Sequence, residues 1–184
     1  MKNFIKSIFA GTIIGIAALT SIGAGGSWYG AILFSIGLII ICIEDYNLYT
    51  GKIGYIKSYK EIPTMLLYML GNFIGIVLIS FTCNIDTSAV MAIKLANPLY
   101  LSFSKAIGCG FLMFIAVDIY KQKNSIIGVV CCIPAFILSG FEHSIADLFY
   151  IVNSGTFNLK VIIFFVIIII GNAIGALLHK LLNK

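Results

Sequence analysis

The residues best suited to chemistry lie together in the segment SGFEHSIADLFY, at positions 139–150. Glu142, His143 and Asp147 fall within six positions there, among apolar neighbours. An imidazole can donate, accept or carry a proton near neutral pH, so His143 is a candidate site for a small ionisable solute. The alternative is that His143 only fills space in the interior. For Glu142 we expect a role in satisfying backbone donors at a helix interruption, with a solute-facing carboxylate as the alternative.

The remaining sequence gives little support for an enzyme. It contains no GxSxG, no HExxH, no phosphate-binding loop and no metal-ligand spacing. The five cysteines have no CxxC spacing and fall mostly in apolar runs, where a thiol behaves as a small buried hydrophobe. The twelve basic residues are all lysine, and without arginine a nucleic-acid partner has no support. We therefore expect no catalysis, no metal, no cofactor and no nucleic acid.

The composition is that of an integral membrane protein. Hydrophobic residues fill 60% of the 184 positions, charged residues only 10%, and the mean hydropathy is +1.08. A spanning helix needs about 20 mostly apolar residues, and six windows fit, at roughly 4–24, 28–46, 62–82, 99–119, 126–151 and 160–181. The sequence thus predicts one transmembrane domain over residues 1–184. Charged side chains inside it are costly unless they are paired or hydrated, so the 139–150 cluster needs a compensating role.

The lysines predict the orientation of the chain. With both termini in the cytoplasm, nine lysines lie inside and three, Lys94, Lys105 and Lys160, lie outside or near that boundary. This excess obeys the positive-inside rule and predicts a multi-pass protein of the plasma membrane. The nine inside lysines are Lys2, Lys6, Lys52, Lys57, Lys60, Lys121, Lys123, Lys180 and Lys184.

Two of the six segments, the second and the fifth, carry a polar cluster after an apolar half. The third and sixth share a motif, GNFIG at 71–75 and GNAIG at 171–175, and the first and fourth share SIFAGTIIGIAAL and SKAIGCGFLMFIAV. Because three spans separate the copies, the second copy runs opposite to the first. The sequence predicts two inverted three-helix repeats, approximately 1–82 and 99–184, with broken helices 2 and 5. Asn72 and Asn172 are expected to cap the broken ends, whereas the motif glycines are expected to pack helices closely.

The runs FSIGLIIICIEDYNLYTG at 34–51 and FEHSIADLF at 141–149, together with GNAIG, resemble the formate–nitrite transporter family. The resemblance implies an aquaporin-like protomer, five of which form a ring with one path through each protomer. It also implies roles for particular side chains. The central pair would be His143 and Thr50, the outer constriction Phe34 and Phe136, the inner constriction Leu38, Leu48 and Tyr49, and the outer vestibule would hold Lys94.

Three positions depart from the family pattern. Gly110 and Asp147 each stand where the family has asparagine, and Tyr49 stands where it has phenylalanine. The tyrosine would add a hydroxyl to the inner constriction and admit a more polar species. Gating and selectivity are therefore transferred less directly than the fold.

Two apolar constrictions around one polar site favour a neutral acid over its anion, because an ion loses more hydration energy in a dry slit. We expect a channel or transporter for a small monovalent weak-acid anion, namely formate, nitrite or hydrosulfide, with proton exchange at His143 left open. One alternative is a neutral-solute pore, although the chain lacks an arginine and the paired Asn-Pro-Ala of water and glycerol channels. The other is a non-conducting structural subunit, which leaves the matched histidine, threonine and lysine unexplained.

Overall fold

The computed structural model describes residues 1–182, which form helices joined by short connections and contain no strand. Lys184, one of the lysines assigned to the cytoplasm, lies outside the described residues. The prediction of an all-helical protein is confirmed. In chain order the helices are α1 (Lys2–Gly23), α2 (Trp28–Ile43), α3 (Tyr49–Lys52), α4 (Ile62–Ser80), α5 (Ser88–Ala96), α6 (Leu99–Lys123), α7 (Ile127–Leu138), α8 (Ser144–Ser154) and α9 (Leu159–Leu182), with 3-10 turns at Ile53–Tyr55 and Tyr59–Glu61.

Four of the helices, α1, α4 with its preceding turn, α6 and α9, are long and apolar enough to cross a membrane. The apolar helices α2 and α7 are shorter, with 16 and 12 residues. They occupy the expected windows 28–46 and 126–151 but stop where the polar residues begin. Helical structure resumes at α3 after the loop 44–48 and at α8 after the loop 139–143.

The two short apolar helices end in the same way. A residue in the left-handed region follows each of them, Asp45 with φ 48° and Gly140 with φ 64°. The next backbone N–H then turns back to the helix, from Tyr46 to the carbonyl of Ile41 and from Phe141 to the carbonyl of Phe136, both at 3.0 Å. This bond pattern closes a helix end and sends the chain away from the helix axis. The two loops therefore leave α2 and α7 with similar geometry.

Matching glycines pack α1 against α4 and α6 against α9. Gly75 on α4 lies against the carbonyl of Ile8, and Gly175 on α9 lies against the carbonyl of Ile107. A Cβ at either glycine would collide with backbone atoms, which cannot move aside as a flexible side chain can. The motifs GNFIG and GNAIG thus make equivalent close contacts in the two halves of the chain.

The short helix α5 brings a charged side chain to α8. Thr87, at the start of α5, donates from Oγ1 to the carbonyl of Tyr150 at 2.6 Å, and Met91 is wholly buried. Residues three positions apart share one helix face, so Lys94 follows Met91 on the face that packs towards α8. The position of Lys94 is therefore fixed by α5.

Valine at Gly75 or Gly175 should destabilise the protein, because the added side chain forces the paired helices apart. Overpacking of this kind costs about 1–3 kcal/mol or more. Gly23→Val is the matched control, since a Cβ at Gly23 meets no atom within 4 Å. We expect lower thermal unfolding temperatures in detergent for Gly75→Val and Gly175→Val than for Gly23→Val. Equal unfolding temperatures for the three variants would contradict the close packing.

Candidate functional site

Two buried side chains join the interrupted segments. Thr50 lies in α3, just after the first loop, and His143 is the last residue before α8. The two residues are 0% and 1% exposed. Thr50 Oγ1 lies 2.9 Å from His143 Nε2, a hydrogen bond between residues 93 positions apart in the chain. This bond joins the two segments directly beyond their interruptions.

The second ring nitrogen of His143 determines where the ring carries its proton. His143 caps α8, and its Nδ1 accepts a hydrogen bond from the backbone N–H of Ala146 at 3.1 Å. A nitrogen that accepts carries no proton, so the neutral ring holds its proton on Nε2 and donates it to Thr50 Oγ1. An imidazolium would lose the capping bond. His143 is therefore held as a neutral donor directed at Thr50.

The amide of Asn72 fastens the first loop. Its Oδ1 accepts from the backbone N–H of Tyr49 at 2.9 Å. Its Nδ2 donates to the carbonyl of Asn47 at 3.0 Å and to that of Ser7, on α1, at 2.7 Å. The side chain is wholly buried. One amide thus pairs two backbone groups of the loop and ties them to a neighbouring helix.

The amide of Asn172 fastens the second loop with the same set of contacts. Its Oδ1 accepts from the backbone N–H of Ser144 at 2.8 Å, and its Nδ2 donates to the carbonyls of Glu142 and Ala106, both at 2.9 Å. Gly110 packs directly against the backbone of Asn172, where a Cβ would collide. An asparagine at position 110 does not fit this packing, which gives a physical reason for that departure from the family pattern.

On one side of His143 lie two phenylalanines and a cavity. The rings of Phe34 and Phe136 meet edge to face with centroids 6.1 Å apart, and Phe136 stacks on His143 at 5.8 Å. The cavity has a volume of about 120 Å³ and is lined by these rings together with Lys94 and Asp147. A small solute in this cavity would therefore contact both aromatic rings and charged groups.

Leu38, one turn after Phe34 on α2, and Leu48, in the loop before α3, line a smaller pocket of about 20 Å³. Tyr49 is buried, but it does not line this pocket. Its hydroxyl lies 3.4 Å from the carbonyl of Ile169, on α9, to which it donates. The carbonyl of Ile169 thus gives the Tyr49 hydroxyl a partner on α9, away from the pocket of Leu38 and Leu48.

Lysines lie around Asp45, which lines this second pocket. Asp45 accepts a 2.6 Å hydrogen bond from Lys52, and Lys6 lies 4.0 Å away. Lys121 also lines this pocket. Three lysines therefore lie near the carboxylate of Asp45.

Lys94 is paired rather than free to attract anions. Its ammonium contacts Glu142 Oε2 and lies 2.9 Å from Asp147 Oδ1. The carboxylate of Glu142, expected at backbone donors, contacts Lys94 instead, because Asn172 and His143 already serve those donors. Sequence reasoning identified Asp147 only as a departure from the family pattern. Its position five residues after Glu142 is visible in the sequence, but the packing of α5 that brings Lys94 to both carboxylates is not.

Apolar helices long enough to span a bilayer, together with a buried polar site between two interrupted segments, define an α-helical membrane protein of the transport class. A sequence profile described as Formate/nitrite transporter matches residues 1–182. The chain belongs to the formate/nitrite transporter family, and the resemblance drawn from its motifs is confirmed.

Individual relatives share limited identity with the chain. It is 28% identical to the nitrite transporter NirC of Escherichia coli (strain K12) over 138 residues, which cover 62% of the chain and 52% of NirC. It is 23% identical to the formate channel FocA of Haemophilus influenzae over 184 residues, which cover 81% of the chain and 65% of FocA. The chain thus spans about half the length of NirC and just under two thirds of FocA.

Two solved structures share the fold. One, described as an FNT family ion channel, has a TM-score of 0.87 at 20% identity and covers 98% of this chain and 89% of its own. The other, described as a pentameric formate channel with formate bound, has a TM-score of 0.81 at 21% identity, with 98% and 94% covered.

Alanine at Asn72 or Asn172 should destabilise the protein, because each change leaves one backbone N–H and one loop carbonyl of the interior without their partner and removes a hydrogen bond to a neighbouring helix. Each unsatisfied buried group costs about 1–3 kcal/mol. Asn84→Ala is the control, since Asn84 is exposed. Thermal unfolding in detergent should show a large loss for Asn72→Ala and Asn172→Ala and none for Asn84→Ala. A loss confined to one of the two would argue against their equivalence.

Proposed function

We propose that this protein passes a small monovalent anion of a weak acid across the plasma membrane, with a proton exchanged along the path. The observation that carries this proposal is the buried hydrogen bond between Thr50 and His143. It places one ionisable donor at the junction of the two interrupted segments. Apolar side chains lie on both sides of that donor and a cavity lies beside it. A histidine that only filled space in the interior would not require a cavity beside it or a hydrogen-bond partner from the other interrupted segment.

We infer that the chain forms two inverted repeats of three membrane segments each. Each repeat would consist of a long helix, an interrupted segment and a second long helix, with α2–α3 and α7–α8 as the broken segments. The similar endings of α2 and α7, and the equivalent contacts of Asn72 and Asn172, support this arrangement. Broken segments at matching places in inverted repeats commonly enclose a transport path. The lysine distribution supports cytoplasmic termini.

Passage through such a path depends on the state of protonation of the solute. The rings of Phe34 and Phe136 on one side, and Leu38 and Leu48 on the other, offer little to replace the hydration of an anion. The neutral acid loses less hydration energy and enters more readily. Between these barriers, Nε2–H of His143 can leave Thr50 and donate to the solute.

The relatives support a solute class and an assembly for this protein. The names of NirC and FocA state nitrite and formate, and these anions, with hydrosulfide, are the proposed solutes. A ring of five protomers is supported by the pentameric structure of similar fold. It is also supported by an open apolar groove of about 350 Å³ between α4, α8 and α9 on the surface of the protomer, a surface that a neighbouring protomer can cover.

Substitution of His143 or Thr50 should reduce transport without unfolding the site. His143→Asn removes the imidazole but keeps a side chain that caps helices well, and Thr50→Val keeps the shape and removes the hydroxyl. Thr64→Val, at an exposed position of α4, is the control. In proteoliposomes we expect uptake of formate, nitrite or hydrosulfide to fall about tenfold or more in the two site variants, as expected when a donor is removed from a water-poor site.

Several outcomes of this assay would contradict the proposal. Equal uptake by wild type and His143→Asn would remove His143 from the mechanism. Passage of glycerol at the rate of the anions would favour a neutral-solute pore. A folded wild-type protein that passes none of these solutes would favour a non-conducting subunit.

A further inference from the structure

A buried cluster beside His143 contains one more acid than base. It consists of Lys94, Glu142 and Asp147, whose side chains are 17%, 2% and 1% exposed. Both carboxylates contact the same ammonium, and no second ion pair to either carboxylate occurs among residues 1–182. With both carboxyl groups ionised, the cluster carries one uncompensated negative charge.

An uncompensated charge is unfavourable at this depth. Two carboxylates that share one ammonium lie close enough to repel each other, and burial keeps water from screening that repulsion. One bound proton removes both penalties, because the cluster then contains one ammonium, one carboxylate and one carboxylic acid. The neutral cluster is therefore the lower-energy state in the closed site, with the proton belonging to the pair of carboxyl groups.

Asp147 is the member of that pair that faces the cavity. It lines the space of about 120 Å³ together with His143, Lys94 and Tyr150, whereas Glu142 does not. Asp147 Oδ1 contacts Lys94, but Oδ2 is buried and has no hydrogen-bond partner among residues 1–182. An unpaired carboxylate oxygen in such a place is costly. A protonated Oδ2 is instead a hydrogen-bond donor on a side chain that lines the cavity.

His143 is poorly suited to the same task. Its Nδ1 holds no proton, and its single proton on Nε2 is donated to Thr50. Releasing that proton would leave an imidazolate, and a neutral imidazole is a far weaker acid than a carboxylic acid. A side chain that gives a proton to the anion is therefore a group other than His143.

We propose that Asp147 is the proton donor of the outer cavity. The cavity captures a small weak-acid anion, Asp147 protonates it, and the neutral acid moves on towards His143. This inference rests on the proposed anion transport and deepens it by naming the group that supplies the proton. The O–H bond at Asp147 Oδ2 breaks with its electron pair left on the carboxylate, and a new bond forms between that proton and the anion. The carboxylate is then stabilised by Lys94, and a hydronium ion from the outer solution restores the proton.

Other groups near Asp147 set the conditions under which it exchanges a proton. The charged neighbours are Lys94, on α5, and Glu142, in the loop before α8. The titratable neighbours are His143 at the start of α8, Tyr150 on α8, whose ring lies 5.4 Å from the Lys94 ammonium, and the thiol of Cys109 on α6. Lys94 is the one cation of the set, so it favours return of the carboxylate once the proton has left.

Uptake of formate at a fixed concentration of formic acid tests this role. Proteoliposomes are assayed from about pH 5 to about pH 7, with total formate raised so that outer formic acid stays constant. A path that admits only preformed formic acid gives a constant rate. Wild type should give a rate that rises with the formate concentration, up to about tenfold per pH unit while Asp147 keeps its proton. Asp147→Asn should give a flat and lower profile, because an amide releases no proton.

The controls separate this role from a structural one. Asp86→Asn, an exposed aspartate in the connection before α5, should keep the wild-type profile. A rising profile in Asp147→Asn, or a flat profile in a conducting wild type, would overturn the role of Asp147 and leave the proposed function standing. A wild type that takes up none of formate, nitrite and hydrosulfide would overturn both.

Infrared difference spectroscopy reads the bound proton without transport. At neutral pH the wild type should show the carbonyl stretch of one carboxylic acid, and Asp147→Asn should lack it, because Lys94 and Glu142 then form a neutral pair. Absence of this band from the wild type, or its persistence in Asp147→Asn, would overturn the proposal even if transport is observed.

Discussion

Two helix ends buried inside the protein leave backbone groups that must be paired, and the site depends on how this is done. At Tyr49 and Ser144 a backbone N–H starts a new helix far from water, and an unpaired N–H there would cost as much as a lost hydrogen bond. Asn72 and Asn172 each serve one such N–H and two carbonyls. With the loops fixed in this way, Thr50 and His143 are brought into contact.

The electrostatics follow from the same construction. His143 caps α8 with its Nδ1, so the imidazole remains neutral and serves as a donor. Charge is placed on either side of it instead, in the buried acidic cluster around Lys94 and in the lysines around Asp45. A solute on the proposed path would therefore meet neutral donors and apolar walls in the central region and charged groups before and after it. This distribution suits a solute that gains or loses a proton on its way.

Local signals explain how much the sequence predicted. Apolar runs of spanning length and the repeated GNxIG motif are visible in the chain, and they indicated the long apolar helices and their order but not the helix α5. The contact between Thr50 and His143 has no local signal, and only the family resemblance implied it. The partners of Lys94 depend on a tertiary contact of α5 with α8. The acceptor of the Tyr49 hydroxyl, the carbonyl of Ile169, also has no local signal, because it lies 120 positions away.

The central claim is that the hydrogen-bonded pair of Thr50 and His143 lies on a path for anions. An experimental structure of the protein in lipid with nitrite, compared with one without it, tests this most directly. The account predicts added density between the rings of Phe34 and Phe136 and the side chains of Leu38 and Leu48, within hydrogen-bonding distance of His143 Nε2. Density confined to the outer surface of the protein, with Thr50 and His143 closely packed and nothing between the two barriers, would contradict it.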